Sequence, residues 1–147
     1  MKRTRRLTEA SYMIQILGDM SEIMVKKCNA IIHHAFYPGE DDTRPYLENM
    51  PRDTVCSLVV YGEDENHDIA GIALAEPKSI SVDEEFLSNT QINIHSIAID
   101  PHYQGRGLCR KLVSTLVADI KERYKHLVRD GVYPVYLHVR VTKDNAN

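Results

Sequence analysis

The sequence predicts an α/β fold in which helices cover a mixed β-sheet. Short apolar runs rich in β-forming residues alternate with two stretches of helical periodicity, and one pair of runs has the spacing of a hairpin. The last run follows the second helix, and a strand in that position joins its sheet through a crossover. At 147 residues the chain fits one domain, which we expect to span residues 1–147.

The first strand is predicted over Tyr12 to Leu17, an apolar run that ends at a glycine. Asp19 and Glu22 have the spacing of a capping box and predict the start of a helix. Its apolar positions have helical spacing: Met24, Cys28, Ile31, Ile32 and Ala35. The helix is expected to stop at Tyr37-Pro38-Gly39, and a short helix is predicted from Arg44 to Met50.

Three strands are predicted next, over Val55–Tyr61, Ile69–Ala75 and Ile92–Ile99. The polar segment Gly62 to Asp68 indicates that the first two form a hairpin. The segment Glu76 to Thr90 is predicted to be a long loop, and loops of that length often carry function.

A long helix is predicted from Leu108 to about Tyr124, followed by a last strand over Val135 to Val141. The helix presents one apolar face, which is formed by Leu108, Leu112, Val113, Leu116, Val117 and Ile120. Its face is wide enough to pack against a sheet, so the helix is expected to cover one side of it.

The composition indicates a soluble globular protein, with 43% hydrophobic and 27% charged residues. No apolar run is long enough to cross a bilayer, so no membrane partner is expected. The net charge is −3, and it becomes more negative once the basic start of the chain is set aside. Nucleic acid is therefore not expected as a partner, because phosphate binding needs clustered cations.

The first ten residues are rich in lysine and arginine and are expected to form a disordered tail. A nuclear import signal is the alternative for this tail. The three cysteines, Cys28, Cys56 and Cys109, lack the spacing of a metal or redox site, so no metal is expected. Reduced thiols fit an intracellular compartment, and the cytoplasm is the expected location.

A glycine-rich segment, Gln104-Gly105-Arg106-Gly107, separates the strand ending at Ile99 from the helix starting at Leu108. Glycines allow a tight turn and a close backbone approach to a ligand, and a helix N-terminus offers unpaired amides to an anion. The segment therefore favours a phosphate or pyrophosphate, although a plain turn has the same composition. The chain has no P-loop signature, and no G-x-G-x-x-G opens its first helix.

The stretch from Ile94 to Leu108 resembles the GNAT superfamily of acetyl-CoA-dependent N-acetyltransferases, whose fingerprint is strand, [Q/R]-x-x-G-x-[G/A], helix. Gln104, Gly107 and Cys109 take the fingerprint positions, with Cys109 where glycine or alanine is usual. The resemblance implies a GNAT fold with splayed fourth and fifth strands, acetyl-CoA as co-substrate, and acetylation of an amine.

The resemblance also implies which residues bind the co-substrate. Main-chain groups of the fourth strand would bind the pantetheine arm, and the amide of Ile97 would stabilise the oxyanion. The full set implied for the co-substrate is Ile97, Ala98, Ile99, Gln104, Gly105, Arg106, Gly107, Leu108, Cys109, Arg110 and Asn145.

A second stretch, Val135 to Asn147, is similar to the fifth strand of the GNAT branch that acetylates protein N-termini. By that resemblance His138 is the general base, and Asn93 stands where the branch often has a tyrosine as second base. An imidazole suits this role because histidine titrates near neutral pH. His95, two residues after Asn93, is a second candidate, and period-two alternation predicts that it shares a face with Asn93 and Ile97.

The amine is expected to bind at Phe36, Tyr37 and Pro38 together with Asn93 and His95, as the resemblance implies. The expected substrate is a peptide N-terminus, a lysine or a small amine. A small-molecule reading, similar to arylalkylamine acetyltransferases, would give the role of base to Glu40. A non-catalytic CoA-binding regulatory domain is the remaining alternative.

GNAT chains continue beyond Asn145-Ala146 into a further helix and two strands, and here these elements are expected to be missing. The sequence is therefore interpreted as a fragment. If the chain is complete, the exposed edge of its last strand predicts that it forms an oligomer.

Overall fold

The structure is a computed structural model that describes residues 9–37, 39, 44–62, 68–80, 89–125 and 135–139. These residues form five strands and two α-helices in the order β1-α1-β2-β3-β4-α2-β5, which confirms the predicted order. Their bounds are β1 Ala10–Ile16, α1 Glu22–Phe36, β2 Val55–Tyr61, β3 Asp68–Ile80, β4 Asn89–Ile99, α2 Leu108–Arg123 and β5 Val135–Val139.

The strands form one mixed sheet in the order β1-β2-β3-β4-β5. Strands β1 to β4 are antiparallel to their neighbours, and β5 is parallel to β4. A parallel pair needs a crossover connection, which α2 supplies between β4 and β5. The predicted α/β class with a mixed sheet is therefore confirmed.

The two helices cover opposite faces of the sheet. Cys28, Ile31 and Ile32 of α1 pack against one face, and Leu112 and Leu116 of α2 pack against the other. Because both of its faces are covered, every residue of β2 is buried. Within the part of the chain that the structure describes, no helix is long and apolar enough to cross a membrane.

The start of α1 differs from the predicted capping box. Ser21 is the N-cap, and its hydroxyl accepts a hydrogen bond from the Met24 amide at 3.2 Å. Asp19 instead ends a short 3₁₀ turn. The helix starts late because the amide of Gly18 still donates to the carbonyl of Arg52 at 2.8 Å, which keeps the chain beside residues 52–54.

The helix predicted from Arg44 to Met50 is reduced to a 3₁₀ turn, Leu47–Asn49. The Leu47 amide donates to the side-chain oxygen of Asn29 in α1 at 3.0 Å, so this segment is fastened to α1 by a side chain. A short 3₁₀ turn leaves more of its backbone to such partners than an α-helix would.

The loop predicted over Glu76 to Thr90 is wrong at both ends, because β3 runs to Ile80 and β4 starts at Asn89. The antiparallel pairing continues from Glu76↔Asn93 to Ile80↔Asn89. Pro77 interrupts the β pattern in the sequence, yet it lies where the pairing of β3 with β2 has ended at Ala75. A proline is tolerated on a strand that is paired along one side.

Two other boundaries shift. Ala10 belongs to β1, so the tail predicted over residues 1–10 does not include it, and residues 1–8 lie outside the described part. The last strand is described over Val135–Val139, and residues 140 and 141 also lie outside the described part.

Candidate active site

A β-bulge in β4 places His95 and Ser96 at the centre of the candidate site. Leu74 pairs with Ser96 and Ala75 pairs with Ile94, so His95 is the extra residue between them. Bulges of this kind bend a strand and redirect its side chains. Ile94 packs in the cluster under α2, whereas the neighbours of Ser96 belong to the α1 face.

The bulge corrects the predicted grouping of His95 with Ile97. Ile97 packs against the apolar cluster on the α2 face. His95 lies in a cleft on the opposite face, beside Glu76. Asn93 pairs with Glu76, so it shares the cleft side with His95 as expected. Period-two alternation fails at Ile97 because the extra residue shifts the phase of the strand.

The cleft has a volume of about 320 Å³. One wall is the segment around the second 3₁₀ turn, and the other is formed by β3 and β4. The described residues that line it are Pro45, Tyr46, Asn49, Met50, Pro51, Glu76 and His95. A concave site with apolar walls and a few polar groups is the usual form of a small-molecule site.

Glu76 and His95 supply a carboxylate and an imidazole to this cleft. Nε2 of His95 is shielded from solvent and makes an ion-pair contact with Oε2 of Glu76, although the two groups are not aligned as a hydrogen bond. The side chains are 25% and 13% exposed, respectively. A carboxylate this well shielded needs a cationic or hydrogen-bonding partner, so the pair is suited to recognise a charged ligand.

The wall opposite this pair is held by side-chain hydrogen bonds. The Tyr46 hydroxyl lies 2.8 Å from the hydroxyl of Ser96, which joins the wall to the bulge. The buried Asn29 donates to Glu48 at 2.6 Å while it accepts from the Leu47 amide. The hydrogen bond from Asn29 holds the pKa of the Glu48 carboxyl below its usual value. These contacts keep the cleft in a defined shape.

The glycine-rich loop follows β4 and leads into α2. The amide of Asp100 donates to the Ala70 carbonyl at 2.8 Å, which ties the loop's start to β3. The Asp100 side chain accepts from the His102 amide and caps the 3₁₀ turn Pro101–Tyr103. Gly105 and Gly107 then adopt positive φ angles of 81° and 71°. Other residues rarely adopt this conformation, which explains both glycines.

The N-terminus of α2 has the features of an anion site. Gly107 is its N-cap and supplies no side-chain oxygen, so the first amides of the helix lack a capping partner. The first turn contains no acidic residue and includes Arg110 and Lys111. Cations at a helix N-terminus oppose the helix dipole, so their presence favours a bound anion over helix stability.

All but one of the predicted co-substrate residues in this loop are exposed. The exposed residues are Gln104, Gly105, Arg106, Gly107, Cys109 and Arg110. Leu108, the first residue of α2, is the exception, because its side chain is buried in the apolar cluster between that helix and the sheet. A Cβ atom built on Gly105 or Gly107 would meet no protein atom within 4 Å. The space that these glycines leave open is therefore available to a pyrophosphate, and the loop fits the CoA end of acetyl-CoA.

Arg106 is directed to two aromatic rings. Its guanidinium lies 4.9 Å from the ring centroid of Tyr103 and 5.5 Å from that of Tyr61. The two rings stack at 4.9 Å, and the Tyr103 hydroxyl donates to Asp68 at 3.1 Å. The loop is thereby anchored to the ends of β2 and β3.

The predicted catalytic residues lie on adjacent strands. Pairing between β4 and β5 is described from Thr90↔Val135 to Ile94↔Val139, and Asn93 pairs with His138. Ile97 lies three residues beyond this pairing and opposite Ala73 of β3. Ala98 is buried on the α1 face, and Ile99 packs on the α2 face, so their main-chain groups are what remains for a ligand.

Phe36 and Tyr37, the described residues of the amine site predicted after α1, are not among the residues that line the cleft. Phe36 packs against the core on the α1 side, and Tyr37 is the C-cap of α1 with its ring 5.7 Å from that of His33. Pro38, Glu40 and Asn145 lie outside the described residues. Their roles stay predictions.

Sequence reasoning missed Glu76 and Tyr46, which both line the cleft. Glu76 directly follows a run of buried apolar residues in β3, and an acid in that position was the available signal. Tyr46 lies in a polar segment without periodicity and gave no comparable signal.

A family model described as the acetyltransferase (GNAT) family matches residues 25–147. No curated protein sequence was found to match the chain. Its fold is similar to many solved structures, of which three are informative.

One is an aminoglycoside acetyltransferase from an uncultured soil metagenomic sample in complex with sisomicin, with 14% identity, a TM-score of 0.63, and coverage of 93% of this chain and 80% of that chain. Another is the aminoglycoside N-acetyltransferase AAC(6')-Iy in complex with CoA, with 11% identity, a TM-score of 0.60, and the same two coverages of 93% and 80%.

The third is the ribosomal-protein-S18-alanine N-acetyltransferase from Escherichia coli, with 17% identity and a TM-score of 0.50. The match covers 78% of this chain and 62% of the Escherichia coli enzyme. At these identities the likeness shows a shared fold, and substrates differ widely among proteins that share one.

Proposed function

The chain belongs to the GNAT acetyltransferase family, whose members use acetyl-CoA, and we propose that it acetylates a primary amine bound in the cleft at His95. One observation carries the proposal: the cleft and the glycine-rich loop flank the same strand, β4. The cleft opens at the bulge in β4, and the loop follows the end of that strand. An amine and a CoA thioester bound at these two places would approach each other along β4.

Uncapped amides of α2 would hold the pyrophosphate of acetyl-CoA, aided by the basic first turn of that helix. The amine attacks the thioester carbonyl of acetyl-CoA, the C–S bond then breaks, and CoA leaves as a thiolate that takes up a proton from solvent. The Ile97 amide is the proposed donor to the oxygen of that carbonyl as negative charge develops there. Its support is the resemblance of residues 94–108 to the GNAT fingerprint.

The amine must lose a proton to become a nucleophile, and His138 is the proposed base. Its support is the register that sets His138 opposite Asn93, in the row of the sheet that continues to Glu76 in the cleft. His138 is therefore separated from the cleft residues by neighbouring strands, which are spaced about 5 Å apart.

For the amine, we propose a protein N-terminus as the finer assignment, with a small amine as the second candidate. Proteins with a similar fold include a ribosomal-protein-S18-alanine N-acetyltransferase and an aminoglycoside acetyltransferase. The observation that favours a small amine is the cleft itself, whose volume of about 320 Å³ is the size of a small-ligand pocket.

An acetylation assay tests the function. The purified chain is incubated with acetyl-CoA and, separately, with N-terminal peptides, N-terminally blocked lysine peptides, aromatic amines and aminoglycosides, and CoA release is followed. We expect turnover above the rate of hydrolysis in at least one amine group. Absence of acetylated product with every group would contradict the proposal.

A further inference from the structure

The lining of the cleft restricts the charge of what can bind there. Among the described lining residues, Glu76 is the one carboxylate and His95 the one imidazole. The other lining residues are two prolines, a methionine, a tyrosine and an asparagine: Pro45, Pro51, Met50, Tyr46 and Asn49. The described part of the lining is therefore mostly apolar and contains one carboxylate.

The Glu76 carboxylate is poorly hydrated, since its side chain is 13% exposed. Its contact with His95 offsets this charge when the imidazole is protonated. When His95 is neutral, no other cationic side chain among the described lining residues replaces it. A shielded carboxylate in that state attracts a cation, because leaving it unpaired is costly.

The position of this carboxylate is well defined. Glu76 pairs with Asn93 in the antiparallel ladder, immediately beside the bulge that carries His95. The bulge is joined to the opposite wall by the hydrogen bond between Ser96 and Tyr46. A recognition group held on paired strands is more selective than one on a free loop, since its geometry does not adapt to each ligand.

We propose that Glu76, in contact with His95, is the ammonium-recognition group of the cleft, and that the amine it selects carries one positive charge on an apolar body. The inference rests on the proposed function, because it names the substrate class of the same site. Glu76 offsets one ammonium, while Pro45, Met50 and Pro51 offer contact to hydrocarbon. The described lining residues include no second carboxylate that would offset another ammonium on the substrate.

Two kinds of molecule share this chemistry: a small aliphatic or aromatic amine, and a peptide whose first residue is apolar. Both present one ammonium next to hydrocarbon. A polycationic aminosugar does not, because its additional ammonium and hydroxyl groups would lose water without gaining partners. The cleft is thus expected to favour amines with one positive charge over amines with two.

Binding measured apart from turnover tests the role of Glu76. Hexylamine is titrated into the CoA-loaded protein by calorimetry, for the wild type and for Glu76→Gln. The variant removes the charge that attracts the ammonium, so we expect affinity to fall about ten- to hundredfold while acetyl-CoA affinity stays unchanged. Glu76→Asp, which keeps the charge, should fall less. Glu22→Gln is the matched control, because Glu22 is exposed at the start of α1.

Matched pairs of amines test the selectivity. Hexylamine is compared with hexamethylenediamine, which differs by one terminal ammonium, and a peptide beginning with Met is compared with one beginning with Lys. In each pair that the enzyme acetylates, we expect kcat/KM for the singly charged amine to be at least about ten times that for the doubly charged amine. The pair with the higher absolute kcat/KM identifies the source of the amine.

The outcomes separate the two proposals. Glu76-dependent binding of hexylamine without acetylation would leave the recognition role standing and contradict the proposed function. Acetylation that does not change in Glu76→Gln, or that is as fast with the doubly charged amine, would overturn the recognition role alone. If hexylamine is neither bound nor acetylated, the recognition role is wrong.

Discussion

The guanidinium of Arg106 lies 4.9 Å from the ring centroid of Tyr103, so a cation of the glycine-rich loop is held by an aromatic side chain of the turn before it. Cation–π contacts at exposed sites contribute about 0.5–1 kcal/mol. Arg106 therefore stabilises the loop from its own side chain and need not reach the pyrophosphate. The contact indicates that the loop is shaped before its ligand arrives.

Replacing Tyr103 tests this interaction. Tyr103→Leu removes the ring, and we expect acetyl-CoA to bind about two- to fivefold more weakly, because the cation–π energy that shapes the loop is small. Tyr103→Phe is the control, because it keeps the ring and removes only the hydrogen bond to Asp68. Calorimetry with acetyl-CoA measures both variants. Equally weak binding in the two would assign the effect to the hydroxyl.

Gly107→Ala tests the open space at the start of α2. Alanine at a φ of 71° is strained by about 1 kcal/mol, and its Cβ would point into the space left for the pyrophosphate. We expect a small loss in the free energy of unfolding together with a loss of acetyl-CoA affinity of about tenfold or more. Larger side chains such as the one in Gly107→Arg should abolish binding.

Gly39→Ala is the matched control for this variant. Gly39 has a φ of 87° and equally open surroundings, but it lies after α1, outside the loop. It should show the same loss of unfolding free energy, measured by urea denaturation, with unchanged acetyl-CoA binding. A similar loss of binding in both variants would place the pyrophosphate elsewhere.

The order of the elements could be predicted because burial imposes periodicity on the sequence. The apolar positions of α2 recur at helical spacing, and two of them, Leu112 and Leu116, are fully buried. The ends of β3 and β4 could not be predicted, since Pro77 and the polar residues after it lie where β3 no longer pairs with β2. Composition there resembles a loop although the backbone is paired.

The part of the site that depends on a special backbone conformation could be predicted from the sequence. The glycines at positions 105 and 107 are required by their positive φ angles, which the sequence signals directly. The placement of Ile97 on the same face as His95 was wrong, because one inserted residue in β4 reverses the alternation after His95.

Thiol labelling tests the location of Cys109. Cys109 is exposed in the first turn of α2, while Cys28 and Cys56 are buried. Burial raises the pKa of the Cys28 thiol above its usual range and raises the pKa of Cys56 to about 12. Both stay protonated and unreactive at pH 8. We expect iodoacetamide to modify Cys109 alone in the folded protein, as read by mass spectrometry.

Acetyl-CoA should protect Cys109 from this reaction, because the proposed pyrophosphate site covers the first turn of α2. We expect the labelling rate to fall about tenfold at a co-substrate concentration ten times its dissociation constant. Adenosine, which lacks the pyrophosphate, is the control. Labelling of Cys109 at the same rate with and without acetyl-CoA would contradict the placement.

The pH dependence of stability tests the anchor of the cleft wall. The hydrogen bond from Asn29 lowers the pKa of Glu48 in the folded protein. A depressed carboxyl pKa contributes stability that is present above the unfolded pKa, about 4.3, and is lost as pH falls through the folded value. Wild type should therefore exceed Glu48→Gln in stability at pH 7, and the difference should shrink below about pH 4.

Urea denaturation at a series of pH values measures this difference. Glu22→Gln serves as the control because Glu22 is exposed, so its loss should alter the pH dependence less. A difference between wild type and Glu48→Gln that stays constant down to pH 3 would mean that the Asn29 hydrogen bond does not favour the ionised carboxyl.

His138→Ala tests the proposed base. Removal of a general base lowers kcat by about a hundredfold or more, whereas acetyl-CoA binding depends on the loop after β4 and should remain unchanged. If His138 removes the proton, the loss in kcat should diminish at high pH, where more of the amine is already neutral. His34→Ala, on the exposed side of α1, is the control and should keep the wild-type rate. An unchanged kcat in His138→Ala would transfer the role to His95, which already lies in the cleft, or to Glu40.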